Sequence, residues 1–269
     1  MKQEKCVIVL ITHSDYIDIC NNFIDLFNNN WSSCPFRVVG IVMGKPVSIK
    51  GIECIYAPEA KTLPECLLKA VRSYPAKYYM SFLGDAFIAQ VVNQQQIDEL
   101  LLCLDTHAVN YCSMLPKRSS HRSDKLNNFV RKIHASDRYA HSFIAFTATA
   151  DYIIKHFSNQ ETDLDFELKY LALSNNANDY YFDKEVILTQ NILSLYPGID
   201  KGKWNRRVLR LLKKYNPTLV FSNRELLSWK EQIIYDIREV LVPFCPPIIR
   251  RTVKYLMTKT KVFTFVSKS

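Results

Sequence analysis

Glycine is scarce in this chain, with six among 269 residues. No G-x-G-x-x-G follows the first apolar run. The tight turn by which dinucleotide-dependent enzymes bring backbone up to a pyrophosphate is therefore missing, and that class is set aside. Cysteine is not scarce, but C-x-x-C spacing is absent: Cys6, Cys20, Cys34, Cys54, Cys66, Cys103, Cys112 and Cys245 are scattered, mostly among apolar neighbours. They read as reduced core thiols rather than a zinc site or a disulfide frame. No stretch approaches the roughly 18 consecutive apolar residues of a membrane span. The first apolar run, Cys6 to Ile11, is too short for a signal-peptide core and has no small-residue cleavage site, so a cytoplasmic location is expected.

What is present is a hydrophobic share of 48% with 12% aromatics, the composition of a folded globular protein. Charge is unevenly spread. Residues 201–269 hold 16 Lys and Arg against 4 Asp and Glu, whereas the first 200 residues hold 19 against 22. Such a distribution points the last quarter at something anionic. No zinc-finger spacing, RNP-like aromatic signature or recognition helix accompanies it, so nucleic acid is not the expected partner.

Hydrophobic periodicity predicts alternating strands and helices. A strand over 5–13 is followed by a helix over 16–27, with Ile17, Cys20, Phe23, Ile24 and Phe27 at three- and four-residue spacings. Strands at 36–43 and 53–56, a helix at 64–73 and a strand at 77–83 that halts at Gly84-Asp85 continue the pattern. A helix over 94–105 and a strand over 108–115 come next. Residues 117–125 are polar and basic and read as a lid or acceptor loop. Strands at 129–134 and 142–147, a helix at 149–157, a helix opened by the acids of 161–168, and a strand over 187–196 ended by Pro197-Gly198 complete the body. The expected class is α/β, a Rossmann-like, mostly parallel sheet flanked by helices. Residues 1–215 form the expected catalytic domain and residues 216–269 a basic helical extension, with helices over 226–241 and 248–257.

In an open α/β sheet, ligands sit beyond the carboxyl ends of the strands. Two such ends are polar here, Thr12-His13-Ser14 and Gly84-Asp85, although Gly-Asp is also good turn chemistry. Asp163, Asp165 and Glu167, with Glu161 before them, either complement the dipole of a first helical turn or serve as general base and acceptor-hydroxyl ligand. Lys201 and Lys203 flank Gly202 ahead of a basic helix containing Arg206, a means of holding a diphosphate. In residues 248–257 apolar positions interleave with Arg250, Arg251 and Lys254, the composition of an interfacial helix.

Together, Thr12-His13-Ser14, Gly84-Asp85-Ala86-Phe87, Asp165-Phe166-Glu167 and Gly202-Lys203-Trp204 resemble bacterial surface-polysaccharide glycosyltransferases of GT-A type, the capsule and O-antigen kind, over most of residues 5–215. The resemblance implies a GT-A-like fold. It implies a nucleotide-sugar donor bound by Thr12, His13, Ser14, Asp85, Lys201, Lys203 and Arg206, and a polyprenyl-linked or growing saccharide acceptor. Among Asp163, Asp165 and Glu167 it favours Glu167 as base, at the family's Phe-Glu position. It also implies Mg2+ or Mn2+, with Asp85 as the ligand in place. The family's strand ends on two acids, whereas here the first is Gly84 and Asp85-Ala86-Phe87 supplies one carboxylate. Lys or Arg side chains can stabilise a departing diphosphate much as a cation does. A polyprenyl-linked acceptor places the enzyme peripherally on the inner face of the cytoplasmic membrane, docked on that anionic surface through residues 229–261. The other reading is a polysaccharide-locus scaffold without catalysis.

Overall fold

The computed structural model describes residues 4–117, 124–159, 162–175 and 179–237. β1 (Glu4–His13) lies inside the sheet, and both of its faces are covered. Cys6, Ile8 and Leu10 join one hydrophobic core, whereas Val7, Val9 and Ile11 join the other. Successive side chains of a strand point to opposite faces, so a strand covered on both sides is apolar throughout.

β1 pairs in parallel with β2 (Arg37–Met43) and β4 (Ala76–Leu83), and β2 with β3 (Glu53–Ala57). Beyond β4 the eight-stranded sheet continues through β8 (Ala145–Thr149), β6 (Tyr111–Ser113) and β9 (Tyr181–Leu188) to β7 (Val130–His134). β6 and β9 are parallel, β8 is antiparallel to both β4 and β6, and β7 is antiparallel to β9. The architecture is thus α/β, a Rossmann-like, mostly parallel sheet with one reversed strand, β8, set into its middle and another, β7, at its edge.

Helices cover both faces. α1 (Ile17–Asn30), α3 (Gln94–Thr106) and α6 (Arg206–Tyr215) contribute to one core. α2 (Leu63–Ser73), α4 (Ala150–Phe157) and α5 (Asp163–Asn175) contribute to the other. Their starts are set by side-chain caps that satisfy first-turn N–H groups: Thr62, Asn93, Thr149 and Asn205 each accept from the turn they open. α7 (Trp229–Asp236) opens on a reciprocal Ser228–Glu231 capping box. That box explains why the helix expected from residue 226 starts later.

Two further boundaries differ from the sequence pattern for local polar reasons. The strand expected over 187–196 is broken. β9 ends at Leu188, the chain turns, and β10 (Leu195–Pro197) pairs antiparallel with β5 (Ala86–Ile88). Asn191 makes that turn, its side chain bonding both the N–H and the carbonyl of Leu195 at 2.8 and 3.0 Å. The strand expected from residue 142 begins at Ala145, because the Tyr111 hydroxyl takes both the N–H and the carbonyl of Ser142, each at 3.0 Å. The basic residues 118–123 of the expected lid, Glu161, Cys245 and the expected helix over 248–257 lie outside the described residues. The seven described cysteines are free thiols. No helix among the described residues is long and apolar enough to cross a membrane.

Residues 216–227 are sewn onto α1. Asn216 is buried, and its Oδ1 accepts from the side chains of Asn29 and Asn30 at 2.8 and 3.0 Å while its Nδ2 donates to the Ala89 carbonyl at 2.9 Å. Asn22 bonds the Val220 carbonyl and the Ser222 N–H at 2.9 and 2.7 Å. Arg224 grips both carboxylate oxygens of Asp18 at 2.7 and 2.6 Å. Removing one partner of a buried polar cluster strands the others without water. Asn216→Ala is therefore expected to cost about 2 to 3 kcal/mol, read as a lower urea midpoint with an unchanged denaturant slope; an unchanged midpoint would show the cluster to be energetically idle.

Candidate functional site

The carboxyl ends of β1 and β4 are neighbours, with Ile11 opposite Leu83. Three chain segments close on the turn that follows. Gly84 N–H donates to the Ile11 carbonyl at 3.1 Å, Leu83 N–H to Ile144 at 2.9 Å, and Gly198 N–H to the Asp85 carbonyl at 2.9 Å. A β-carbon on Gly84 would sit 3.3 Å from Thr12 Oγ1 and 3.5 Å from the Cys20 side chain, so the small residue permits this close approach.

Asp85 is delivered by that turn into a cleft of about 380 Å³. One wall comprises Leu115, Pro116 and Lys117 beyond β6, together with Ile144; the other comprises Asn191, β10, Ile199 and Asp200, and Tyr235 of α7 completes the lining. Burial pushes the Asp85 carboxyl up to about 6, against the opposing hydrogen bond from the Ile199 N–H.

The other sequence-predicted residues fall into three groups. Thr12 is buried beside Gly84, and His13 and Ser14 lead into a short 3-10 turn over Ser14–Tyr16. There the His13 ring accepts from Asp15 N–H at 3.2 Å and Ser14 Oγ accepts from Lys45 N–H at 3.2 Å. Thr12 and Asp85 are therefore brought to one end of the sheet.

The second group is the hairpin of β11 (Ile199–Asp200) and β12 (Lys203–Trp204), turned by Lys201 and Gly202 at φ of 50° and 80°. Two positive φ values are what a two-residue hairpin needs to match strand twist. A β-carbon at Gly202 would lie 3.5 Å from the Tyr16 hydroxyl, so the hairpin tip rests against the rim at the end of β1. Lys201 is exposed at that tip. Lys203 instead pairs with Glu231 and Glu225 at 3.3 and 3.5 Å. Arg206 donates to the Leu227 carbonyl and lies 4.8 Å over the Trp229 ring. These two cations bind the hairpin to the α7 region, and Lys201 is left exposed at the tip; Ile199 and Asp200 are the hairpin residues that line the cleft, whereas Thr12, His13, Ser14, Lys201, Lys203 and Arg206 do not.

The third group is the acid cluster of α5. Asp165 accepts from the N–H and hydroxyl of Thr162 at 3.3 and 2.8 Å and returns its own N–H to that hydroxyl at 3.0 Å, a helix cap. Glu167 Oε1 accepts from the Ser142 hydroxyl and the Phe143 N–H, each at 3.0 Å. Burial raises the carboxyls of both Asp163 and Glu167, and the charges of Asp163 and Lys117 act on Glu167 in opposite senses. Glu167 feels the charge of Lys117, a residue of the cleft wall, but none of the three acids is part of the cleft lining.

Asp200, Tyr235 and Asn191 are the polar lining groups that sequence reading did not single out, whereas Lys117 opens the stretch read as a lid or acceptor loop. Asp200 could have been found from its place just before a Lys-Gly turn that demands two left-handed residues. Tyr235 sits on a helix with no motif, and only packing brings it in.

An acid whose folded pKa is raised binds more protons folded than unfolded between the two values, so stability falls as pH rises through that window. Relative to Asp85→Asn, the wild type should therefore lose stability from about pH 4 to about pH 6 and hold the deficit above it. Urea unfolding of both proteins at pH 4, 5, 6 and 7 reads this directly; a constant difference across the series would place Asp85 in a solvated setting.

No family model matches the chain, and no curated protein matches it in sequence. Among solved structures, CMP:2-keto-3-deoxy-manno-octonic acid synthetase complexed with CTP is similar at 13% identity over 80% of this chain and 100% of that one, with a TM-score of 0.49. S. aureus TarS 1–349 is similar at 11% identity over 69% of this chain and 58% of that one, with a TM-score of 0.44. This chain therefore spans less than two thirds of that TarS fragment. Mannosyltransferase PcManGT from Pyrobaculum calidifontis, in complex with GDP-Man and Mn2+, is similar at 12% identity over 44% of this chain and 37% of that one, with a TM-score of 0.32. At these values the likenesses carry no argument about activity, and the fold rests on the strand order itself.

Proposed function

We propose that the protein is a glycosyltransferase that moves a sugar from a nucleotide-sugar donor to a lipid-linked or growing surface-polysaccharide acceptor of capsule or O-antigen type. The observation that carries this reading is the cleft beyond the carboxyl end of β4, with the Asp85 carboxylate inside it and Asp200, the residue before the Lys201 turn, in its lining. The donor nucleotide lies along Thr12, His13 and Ser14, and the diphosphate reaches the hairpin tip. Lys201 faces its charge, while Lys203 and Arg206 hold the hairpin in place.

The transfer step needs one bond made and one broken. The acceptor hydroxyl oxygen attacks the anomeric carbon, the bond from that carbon to the diphosphate oxygen breaks, and its electron pair leaves with the nucleoside diphosphate. In a displacement with inversion the hydroxyl proton passes to a carboxylate, a role assigned to Glu167 beside the Lys117 wall. Asp163, raised by burial, stands next to it, and Asp165 keeps the helix start in register.

Mg2+ or Mn2+ fits this donor set through two acids. Asp85 and Asp200 are the carboxylates of the cleft lining, and no group of three His, Cys, Asp or Glu able to hold a metal occurs among the described residues. Hard cations in nucleotide sites commonly take one or two carboxylates and complete their shell with phosphate oxygens and water. Bound there, such an ion would neutralise charge gathering on the departing diphosphate.

The acceptor side of the proposal places the protein on an anionic membrane surface. Trp229 and Ile233, one turn apart on α7, are 65% and 57% exposed. α6 presents Arg210, Lys213 and Lys214 to solvent, and its Arg207 pairs with Asp236 of α7 at 2.9 Å. A bulky apolar pair fringed by cations is the composition of a reversible interfacial contact, each basic residue adding on the order of 1 kcal/mol.

Two experiments test the reading. Calorimetric titration with a panel of nucleoside diphosphates and nucleotide sugars should find a ligand whose affinity falls about tenfold in Asp85→Ala and several-fold in Lys201→Ala, one lost charge-assisted contact each. Equal affinity in Asp85→Ala would make that acid structural. In vesicle co-sedimentation the full chain should pellet with anionic but not neutral vesicles, and a Trp229→Ala, Ile233→Ala double variant should lose most of that binding. Equal sedimentation of the variant would remove α7 from the surface.

A further inference from the structure

We infer that Ser142, pinned at both of its backbone polar groups by Tyr111, is a positioning residue that sets the orientation of the Glu167 carboxylate for the transfer step. This rests on the assignment of Glu167 as the base proposed above.

The hydrogen-bond roles follow from the chemistry of the groups. The Ile144 N–H, 3.3 Å from Ser142 Oγ, can only donate, so the serine oxygen accepts from it and has its own proton to give to Glu167 Oε1 at 3.0 Å. The Phe143 N–H donates to the same carboxylate oxygen at 3.0 Å. Oε1 is thereby held by two donors from adjacent residues, and among the described residues no donor reaches Oε2. Oε2 is the oxygen that takes the acceptor's proton, and a carboxylate held by one oxygen presents the other in a fixed direction.

Ser142 is itself immobilised. The Tyr111 hydroxyl donates to the Ser142 carbonyl and accepts from its N–H, both at 3.0 Å. Tyr111 is fully buried on β6, and burial pushes its phenol well above its ordinary value, so it stays a neutral donor at working pH. Two residues on, Ile144 lines the cleft and its carbonyl accepts from Leu83, next to the Asp85 turn. One short segment therefore ties the base to the wall of the cleft. The charged or titratable groups acting on Glu167 are Asp163 from its own helix, Lys117 from the adjacent cleft wall and Tyr111 from the sheet.

The bland alternative is that Ser142 merely tethers α5. Two readouts on the full chain separate these roles. In protein labelled with carboxyl-13C glutamate, the Glu167 resonance is assigned by its loss in Glu167→Gln. Its titration should move to higher pH in Ser142→Ala, because a donor to the ionised form is gone, and should return in Ser142→Thr. Turnover is followed as nucleoside diphosphate released from a nucleotide-sugar panel. Ser142→Ala should lower kcat about tenfold to hundredfold with donor KM within about twofold, and should move the acidic limb of the pH profile up with the carboxyl. Unmoved titration and an unmoved acidic limb in a Ser142→Ala protein of wild-type secondary structure would overturn the inference. Wild-type turnover in Glu167→Gln would overturn the base assignment instead, a result that does not involve Ser142.

Discussion

The site depends on a three-residue turn. At Leu83, Gly84 and Asp85 the chain leaves β4, and its backbone groups are taken up by β1, by the approach to β8 and by Gly198 just after β10. A net contribution of about 1 kcal/mol per bond is modest, but the geometric effect is large. The one acid at the end of β4 is placed by backbone bonds from three directions rather than by its own rotamer. The reversed strand makes this possible. Because β8 runs antiparallel to β4, its beginning rather than its end lies at the carboxyl edge, and residues 142–144 meet both Leu83 and Glu167 there.

The wall opposite Asp85 has its own anchor. Arg131 and Asp137 form a buried ion pair at 2.5 Å, both side chains almost wholly removed from solvent. Asp137 also accepts from the His134 N–H at 2.9 Å, and Arg131 donates to the Lys117 carbonyl at 3.2 Å. A buried pair with its remaining hydrogen bonds met gives little net stability yet is costly to break from one side. Here its use is positional, since it fixes the stem from which Lys117 enters the cleft.

Charge in the hairpin is divided by role. Of three cations that look alike in sequence, Lys203 is neutralised by two glutamates and Arg206 lies over an indole, while Lys201 sits on a left-handed turn residue at the tip. The pairing of Lys203 is solvent-exposed and contributes little to stability. It does set where the tip lies, between the rim at Tyr16 and the cleft at Asp200.

The strands of the first half, their helices, and the Gly84-Asp85 end of β4 were legible from residues alone, because burial on two faces writes an unbroken apolar run and a helix writes a spacing of three and four. The polar break at Thr12 and the acid cluster opening α5 were legible for the same local reason. The turn at Asn191, the late start of β8 at Ala145 and the partition of Lys201, Lys203 and Arg206 were not. Each is decided by a partner far along the chain or by a side-chain bond to the backbone, which hydrophobic periodicity does not register. The cleft itself is of this kind. Asp85, Lys117, Asp200 and Tyr235 come from four separate segments, and only the closure of those segments on one turn brings them together.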